Sequence, residues 1–323
     1  MYIDTRLLPQ LGLSSPECSV EVPLGGKKSC LRLVKGKNGK GYVVRAFPKN
    51  KRKEAYQLYS ADDLLERNKV PAPRLVDFAE EFSSRNVTFV TEEYLEGKNW
   101  KELELNEVLV RKLGTLLARL HRVESDHWGP ITRDKSPGGS FGNSRLKRVK
   151  NRLRRVKKFA PHTISKEEFR GVREWFRAFR IRLDGLERFE LIHDKINHGN
   201  ILYQEEKGDL YLLDFATLQY GCRAKDVIQA ECGLLQDNDE LIKEFREEYF
   251  SAFPEPVKEQ FGKLANFYRG YYHLSRSASN IRHDYISRTK RHQFKTNFYD
   301  QFLHHWRTLW KIIEGAGENA PRA

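Results

Sequence analysis

The spacing of apolar residues changes character along this chain, and the change divides it. Up to about residue 95 the pattern is mostly that of short strands. Ser19–Val22 and Cys30–Val34 read as extended runs either side of Leu24-Gly25-Gly26-Lys27-Lys28. Asn38-Gly39 is a hairpin turn signal, and Gly41-Tyr42-Val43-Val44-Arg45-Ala46-Phe47 is the strand after it, closed by Pro48. Glu54–Arg67 then carries Ala55, Leu58, Tyr59, Leu64 and Leu65 at helical spacing. Val70-Pro71-Ala72-Pro73 stops that helix and opens an extended piece over 74–78. Val87–Tyr94, rich in β-branched and aromatic residues, is a further strand, and Gly97 follows it as a hinge.

Beyond Gly97 the period becomes helical. Val108–Val123 places Leu109, Leu113, Leu116, Leu117 and Leu120 on one face. Pro137–Asn143 reads as a loop, and 145–158 (RLKRVKNRLRRVKK) as a helix with Leu146, Val149, Leu153 and Val156 in a stripe surrounded by cations. Lys166–Glu187 reads as one more helix. Asn200–Gln204 and Leu210–Asp214 are short strands joined by a hairpin. Aromatic-rich helices fill the rest to about Glu314, and 315–323 read as frayed. Strands first and helices second, with a hairpin inside the helical part, predict an α+β protein. The predicted lobes are 1–96 and 97–323.

Composition narrows the function classes. Thirty-nine per cent hydrophobic and 12% aromatic residues among 323 are enough for a packed core. No run of about 18 apolar residues occurs, and no secretory leader is visible at the start. The four cysteines (18, 30, 222 and 232) include no C-x-x-C, and the ten histidines show no metal-ligand spacing. Buried thiols in a reducing compartment, and hence a cytoplasmic protein, are expected. The net charge of +14 favours anionic partners. Its densest focus, 145–158, reads either as a solvated helix or as an anion-binding face able to touch an anionic membrane surface. Tyr268–Arg276 interleaves bases and aromatics, but its helical spacing favours core packing over stacking on nucleobases.

The segment that carries chemistry is Leu191-Ile192-His193-Asp194-Lys195-Ile196-Asn197-His198-Gly199-Asn200, followed by Leu212-Leu213-Asp214-Phe215. A hairpin would bring Asn200 and Asp214 together, an amide oxygen and a carboxylate suited to Mg2+ shared with phosphates.

These motifs resemble the aminoglycoside phosphotransferase and choline kinase-like branch of the protein-kinase-like fold. Val70–Arg74, the hinge-like Val90–Gly97 and Leu113–His121 carry the resemblance further, as does Tyr220–Cys222 with Asp226. The resemblance implies a bilobal α+β fold, with a β-rich nucleotide lobe and a helical lobe. It implies ATP and Mg2+ as cofactors, with Asn200 and Asp214 on the metal. Arg45 would meet the phosphates, steadied by Glu54. Gly25 and Gly26 would lie over the phosphates, and the backbone of the hinge, Glu93 to Leu95, would bind adenine. His193 would hold the catalytic loop. The implied activity is phosphoryl transfer to a hydroxyl of a small molecule or glycan, and the charge favours an anionic one (a phosphosugar or a lipopolysaccharide core sugar). One departure stands out. The family's catalytic aspartate belongs five residues before Asn200, where this chain has Lys195, and Asp194 sits one place earlier. Asp194 is the candidate base and Lys195 a candidate for neutralising the γ-phosphate. The alternatives are a catalytically impaired nucleotide-binding or scaffold relative, and a nucleic-acid-associated protein using the basic helix.

Overall fold

The computed structural model describes residues 19–23, 30–35, 40–82, 87–290 and 297–315. Gly25, Gly26 and the Asn38-Gly39 turn lie outside the described residues. The chain forms two compact units that each take non-contiguous segments: 1–136, 190–222 and 238–252 in one, 137–189, 223–237 and 253–323 in the other. The division therefore does not fall at residue 96, because Glu190–Cys222 returns to the first unit.

In the first unit, β1 (Ser19–Pro23), β2 (Cys30–Lys35), β3 (Gly41–Pro48), β4 (Leu75–Phe82) and β5 (Val87–Glu93) form one antiparallel sheet in the order β1-β2-β3-β5-β4. These are the strands expected from the alternation. The helix α1 (Arg52–Arg67) buries Ala55, Leu58, Ala61 and Leu65, its i, i+3, i+6 and i+10 positions. Val44 and Val90 are fully buried on β3 and β5. The two-residue strand β6 (Lys98–Asn99) follows the hinge. The helix α2 (Glu107–His121) starts where the Asn106 side chain accepts the Leu109 N–H at 3.0 Å. It packs on α7 (Asp239–Ser251), where Thr115 donates to Glu248 at 2.8 Å and Arg111 joins Glu107 and Glu244. Short strands β7 (Glu124–Ser125) and β8 (Gly129–Pro130) pair into a second sheet with β9 (Phe189–Ile192) and β12 (Gln219–Gly221). The predicted hairpin is β10 (Ile201–Gln204) against β11 (Asp209–Leu212).

The second unit is helical: α3 (Phe141–Phe159), α4 (Lys166–Ala178), α5 (Arg180–Asp184), α6 (Ala224–Gln229), α8 (Glu255–Lys290) and α9 (Phe298–Gly315). Ser165 and Glu168 cap α4 reciprocally. The single helix expected over 166–187 is two. Phe179 interrupts it, its N–H bonding the Phe176 carbonyl three residues back at 3.3 Å while its ring packs on Trp175 and Phe267. Val149, Leu153 and Val156 of the basic helix are buried as expected, while Leu146 is only half-buried. Arg145 is the buried residue beside it, its guanidinium 4.7 Å from the Phe141 ring centre. Tyr268, His273 and Leu274 are buried, so the aromatic run on α8 is core.

Candidate active site

Strand β9 is buried along its whole length and delivers His193 at its end. His193 is fully buried; its Nε2–H donates to the Leu213 carbonyl at 2.8 Å, and its own carbonyl accepts from Thr217 Oγ1 at 2.9 Å. It therefore fastens the loop to the far end of the hairpin. The loop turns sharply at Asp194, which has φ +68°. Asparagine and aspartate tolerate this left-handed conformation better than most residues. Two amides then fix the next peptide: Asn197 Nδ2 and Asn200 Nδ2 both donate to the Lys195 carbonyl, at 2.9 and 2.8 Å.

The hairpin register does the rest. Ile201 pairs with Leu212, and the Leu213 N–H reaches the Asn200 carbonyl at 2.9 Å. Asn200 and Asp214 thus meet on the wall of one cavity of about 750 Å3. Asp214 is also left-handed, with φ +65°.

On the sheet, Arg45 pairs across to Val90, which puts Glu92 two residues along on the same face. Arg45 Nε donates to Glu92 at 2.7 Å, and its Nη1 lies 3.3 Å from Asp214 Oδ1. Lys195 Nζ donates to the other Asp214 oxygen. Burial alone would raise the Asp214 pKa, but Lys195 and Arg45 outweigh it and hold the carboxyl below its ordinary value. Asp214 is therefore a firmly ionised carboxylate with a cation on each oxygen.

The other predicted residues divide. Glu93 and Leu95 line this cavity. The Glu93 and Tyr94 N–H groups are committed to the carbonyls of Arg74 and Gly41, at 2.9 and 3.0 Å. The Leu95 N–H makes no backbone hydrogen bond among the described residues. Glu54 borders the cavity without steadying Arg45; it pairs with Lys51 at 2.7 Å, and Glu92 takes the expected role. Asp194 is not on the cavity wall, whereas Lys195 is. The left-handed turn points the two neighbours differently. Glu92 was missed because only the cross-strand register reveals it.

Cys232, Asp237 and His273, far apart in sequence, bring possible ligand atoms within 4.8 Å of one another in the second unit. Arg269 already fills this cluster, donating to Asp237 at 2.6 Å and to buried Glu231 at 2.5 Å with Cys232 Sγ at 3.4 Å. Burial pushes the Cys232 thiol well above its ordinary value. A protonated thiol beside a guanidinium is a poor metal site.

The sequence matches the phosphotransferase enzyme family over residues 29–258. No curated protein sequence matches the chain. Among solved structures, a putative aminoglycoside phosphotransferase from Ralstonia eutropha is similar with a TM-score of 0.69 at 14% identity, over 96% of this chain and 97% of that one. An ethanolamine kinase from Plasmodium vivax gives a TM-score of 0.67 at 14% identity, over 96% and 89%. A putative fructosamine-3-kinase from Thermobifida fusca gives 0.59 at 17%, over 95% and 97%. The family match spans strands β2 to β5 with Arg45, the loop from His193 and the hairpin ending at Asp214, and the chain belongs to the phosphotransferase enzyme family, with the protein-kinase-like fold.

Proposed function

We propose that this phosphotransferase moves the γ-phosphoryl group of ATP to a hydroxyl of a small, itself anionic molecule, of the phosphosugar or lipopolysaccharide-core-sugar type. The observation that carries the reading is the convergence on one cavity of the hinge, Arg45 and Asp214. The uncommitted Leu95 N–H is a donor for the edge of adenine. Arg45, braced by Glu92, presents its guanidinium to phosphate oxygens. An ionised carboxylate and an amide oxygen are hard donors that suit Mg2+, so Asp214 and Asn200 are the residues to hold it. When bound, the ion would neutralise charge on the phosphates. Lys195 would compete with it for the Asp214 carboxylate.

Lys195 cannot accept the acceptor's proton while it is an ammonium, and Asp194 is off the wall. Positioning and charge neutralisation then carry the transfer, since the transition state is loose. Loss of a general base slows turnover by about 10²- to 10⁴-fold. Lys195 supplies a positive charge for the transferring group in its place.

Solved neighbours have been captured with AMP-PNP and hygromycin B, and with ADP and spectinomycin. An excess of 58 Lys and Arg over 44 Asp and Glu disfavours such cationic acceptors here and favours anionic ones. A protein using ATP in this way belongs in the cytoplasm, and no helix among the described residues is long and apolar enough to cross a membrane. The ion pair of Lys195 with Asp214 favours one second reading, a nucleotide-binding relative without transfer.

The test is thermal stabilisation by AMP-PNP with Mg2+, together with phosphate transfer or release from ATP. Both vanish in Asp214→Ala if the proposal holds. Stabilisation without turnover selects the second reading, and neither effect in the wild type removes both.

A further inference from the structure

Helix α1 buries five residues, and four of them are apolar: Ala55, Leu58, Ala61 and Leu65. The fifth is Gln57, only 6% exposed. A primary amide inside an apolar interface is costly unless it finds a hydrogen-bond partner. Gln57 finds one far along the chain. Its Nε2 donates to the main-chain carbonyl of Leu218, 161 residues on, and Leu218 is itself fully buried. Gln57 is not among the residues that line the cavity, so any effect it has there passes through Leu218.

Leu218 closes the turn that follows Asp214. Phe215–Thr217 is a single 3-10 turn, and the Leu218 N–H reaches back to the Phe215 carbonyl at 3.0 Å. Ala216 and Thr217 stand on the cavity wall with Asp214. His193 grips the same turn by a different route. Its Nε2–H donates to the Leu213 carbonyl at 2.8 Å, the Thr217 hydroxyl donates to its carbonyl at 2.9 Å, and its ring lies 5.3 Å from that of Phe215. Asp214 therefore sits between two buried anchors, His193 from the loop and Gln57 from α1. Its backbone needs them. With φ +65° it is left-handed, a state that a residue with a side chain keeps only where its surroundings over-determine it. The ion pairs with Arg45 and Lys195 act on the carboxylate and not on this backbone. Glu54 of the same helix pairs with Lys51 at 2.7 Å, so it does not link α1 to Arg45.

We propose that Gln57 is a positioning residue for phosphoryl transfer: its hydrogen bond to the Leu218 carbonyl fastens the turn after Asp214 to α1 and so keeps the Asp214 carboxylate in place on the cavity wall. A misplacement of about 1 Å at a reacting site costs on the order of 10²-fold in rate, which makes such a remote anchor matter. The inference rests on the nucleotide reading above for what the carboxylate serves.

The experiment compares the full chain with Gln57→Met, which keeps the length of the side chain but has no donor, and with Gln57→Leu as a second donor-free replacement. Leu65→Ala is the control: it cuts into the packing of the same helix and leaves the Gln57 bond in place. Amide hydrogen exchange over 213–218, competition binding of AMP-PNP with Mg2+, and thermal melting are read in every variant. Both Gln57 variants should exchange over 213–218 at least about tenfold faster than the wild type and bind AMP-PNP about tenfold or more weakly. Leu65→Ala should lower the melting temperature by at least as much, yet keep both other readings within about twofold. AMP-PNP affinity within about twofold of the wild type in the Gln57 variants, or losses that Leu65→Ala matches, overturn the proposal. So do wild-type exchange rates over 213–218. If the wild type does not bind AMP-PNP, the nucleotide reading fails, while the exchange rates still decide whether Gln57 anchors the turn.

Discussion

Lys195 donates from Nζ to Oδ2 of Asp214, so the carboxylate proposed above as a metal ligand already carries a cation of the chain's own. Arg45 occupies the other oxygen at 3.3 Å. A tethered ammonium at this spot makes nucleotide binding less dependent on added metal than a bare carboxylate would. In Lys195→Met the affinity for AMP-PNP should fall by about tenfold when Mg2+ is replaced by EDTA, against a much smaller fall in the wild type. Competition with a fluorescent ADP analogue measures both. Equal metal dependence in the two proteins would show that Lys195 has no such part.

Arg45, Glu92 and Glu54 should rank in that order. Arg45→Met removes the proposed contact to phosphate and should weaken nucleotide binding by about tenfold or more. Glu92→Gln loosens the brace at 2.7 Å and should have an intermediate effect. Glu54→Gln, which only releases Lys51, should stay within about twofold. A larger effect from Glu54 than from Glu92 would reverse the assignment.

Asp194 is not among the residues lining the cavity that Lys195 joins. Asparagine accepts its left-handed backbone. Asp194→Asn should therefore fold normally and lower phosphate transfer less than Lys195→Met does. A drop of about 10²-fold or more in kcat, with unchanged nucleotide affinity, would instead make Asp194 the base.

His273 and His305 meet Nδ1 to Nδ1 at 3.1 Å, one donating and the other accepting. Burial pushes them down to about 4 and about 3, with smaller contributions from each other's neighbourhood. Both are neutral in the fold but take up protons near pH 6.5 once unfolded. Their contribution is therefore complete above about pH 6.5 and is lost as the pH falls towards 4 and 3, by on the order of 1 kcal/mol per pH unit for each histidine. Urea unfolding at pH 7 and pH 5 measures the loss. His273→Gln/His305→Gln should flatten the slope, and an unchanged slope would place the proton uptake elsewhere.

A Cβ at Gly97 would stand 2.4 Å from the Tyr203 carbonyl oxygen. That oxygen is backbone and cannot step aside, so the hinge and β10 must separate. Gly97→Ala should destabilise the protein by about 1–3 kcal/mol and weaken nucleotide binding, read by thermal melting with and without AMP-PNP. An unperturbed melting temperature would mean that the hinge approaches β10 less closely than this.

Much of this protein is local information. The alternation in Gly41–Phe47 and Val87–Tyr94, the helical stripe of Val108–Val123 and the hairpin after Asn200 are set by neighbouring side chains, and each forms where its period says. The same holds for the family motif around His193, Asn200 and Asp214, because a loop and a tight hairpin keep those residues near one another whatever surrounds them. What the sequence could not decide depends on register and on backbone sign. Glu92 takes Arg45 because antiparallel pairing of β3 with β5 sets it on the same face, a choice made 47 residues away. Lys195 rather than Asp194 joins the cavity because φ at 194 is positive. Periodicity tells which side of an element is buried; only packing tells which charges then meet.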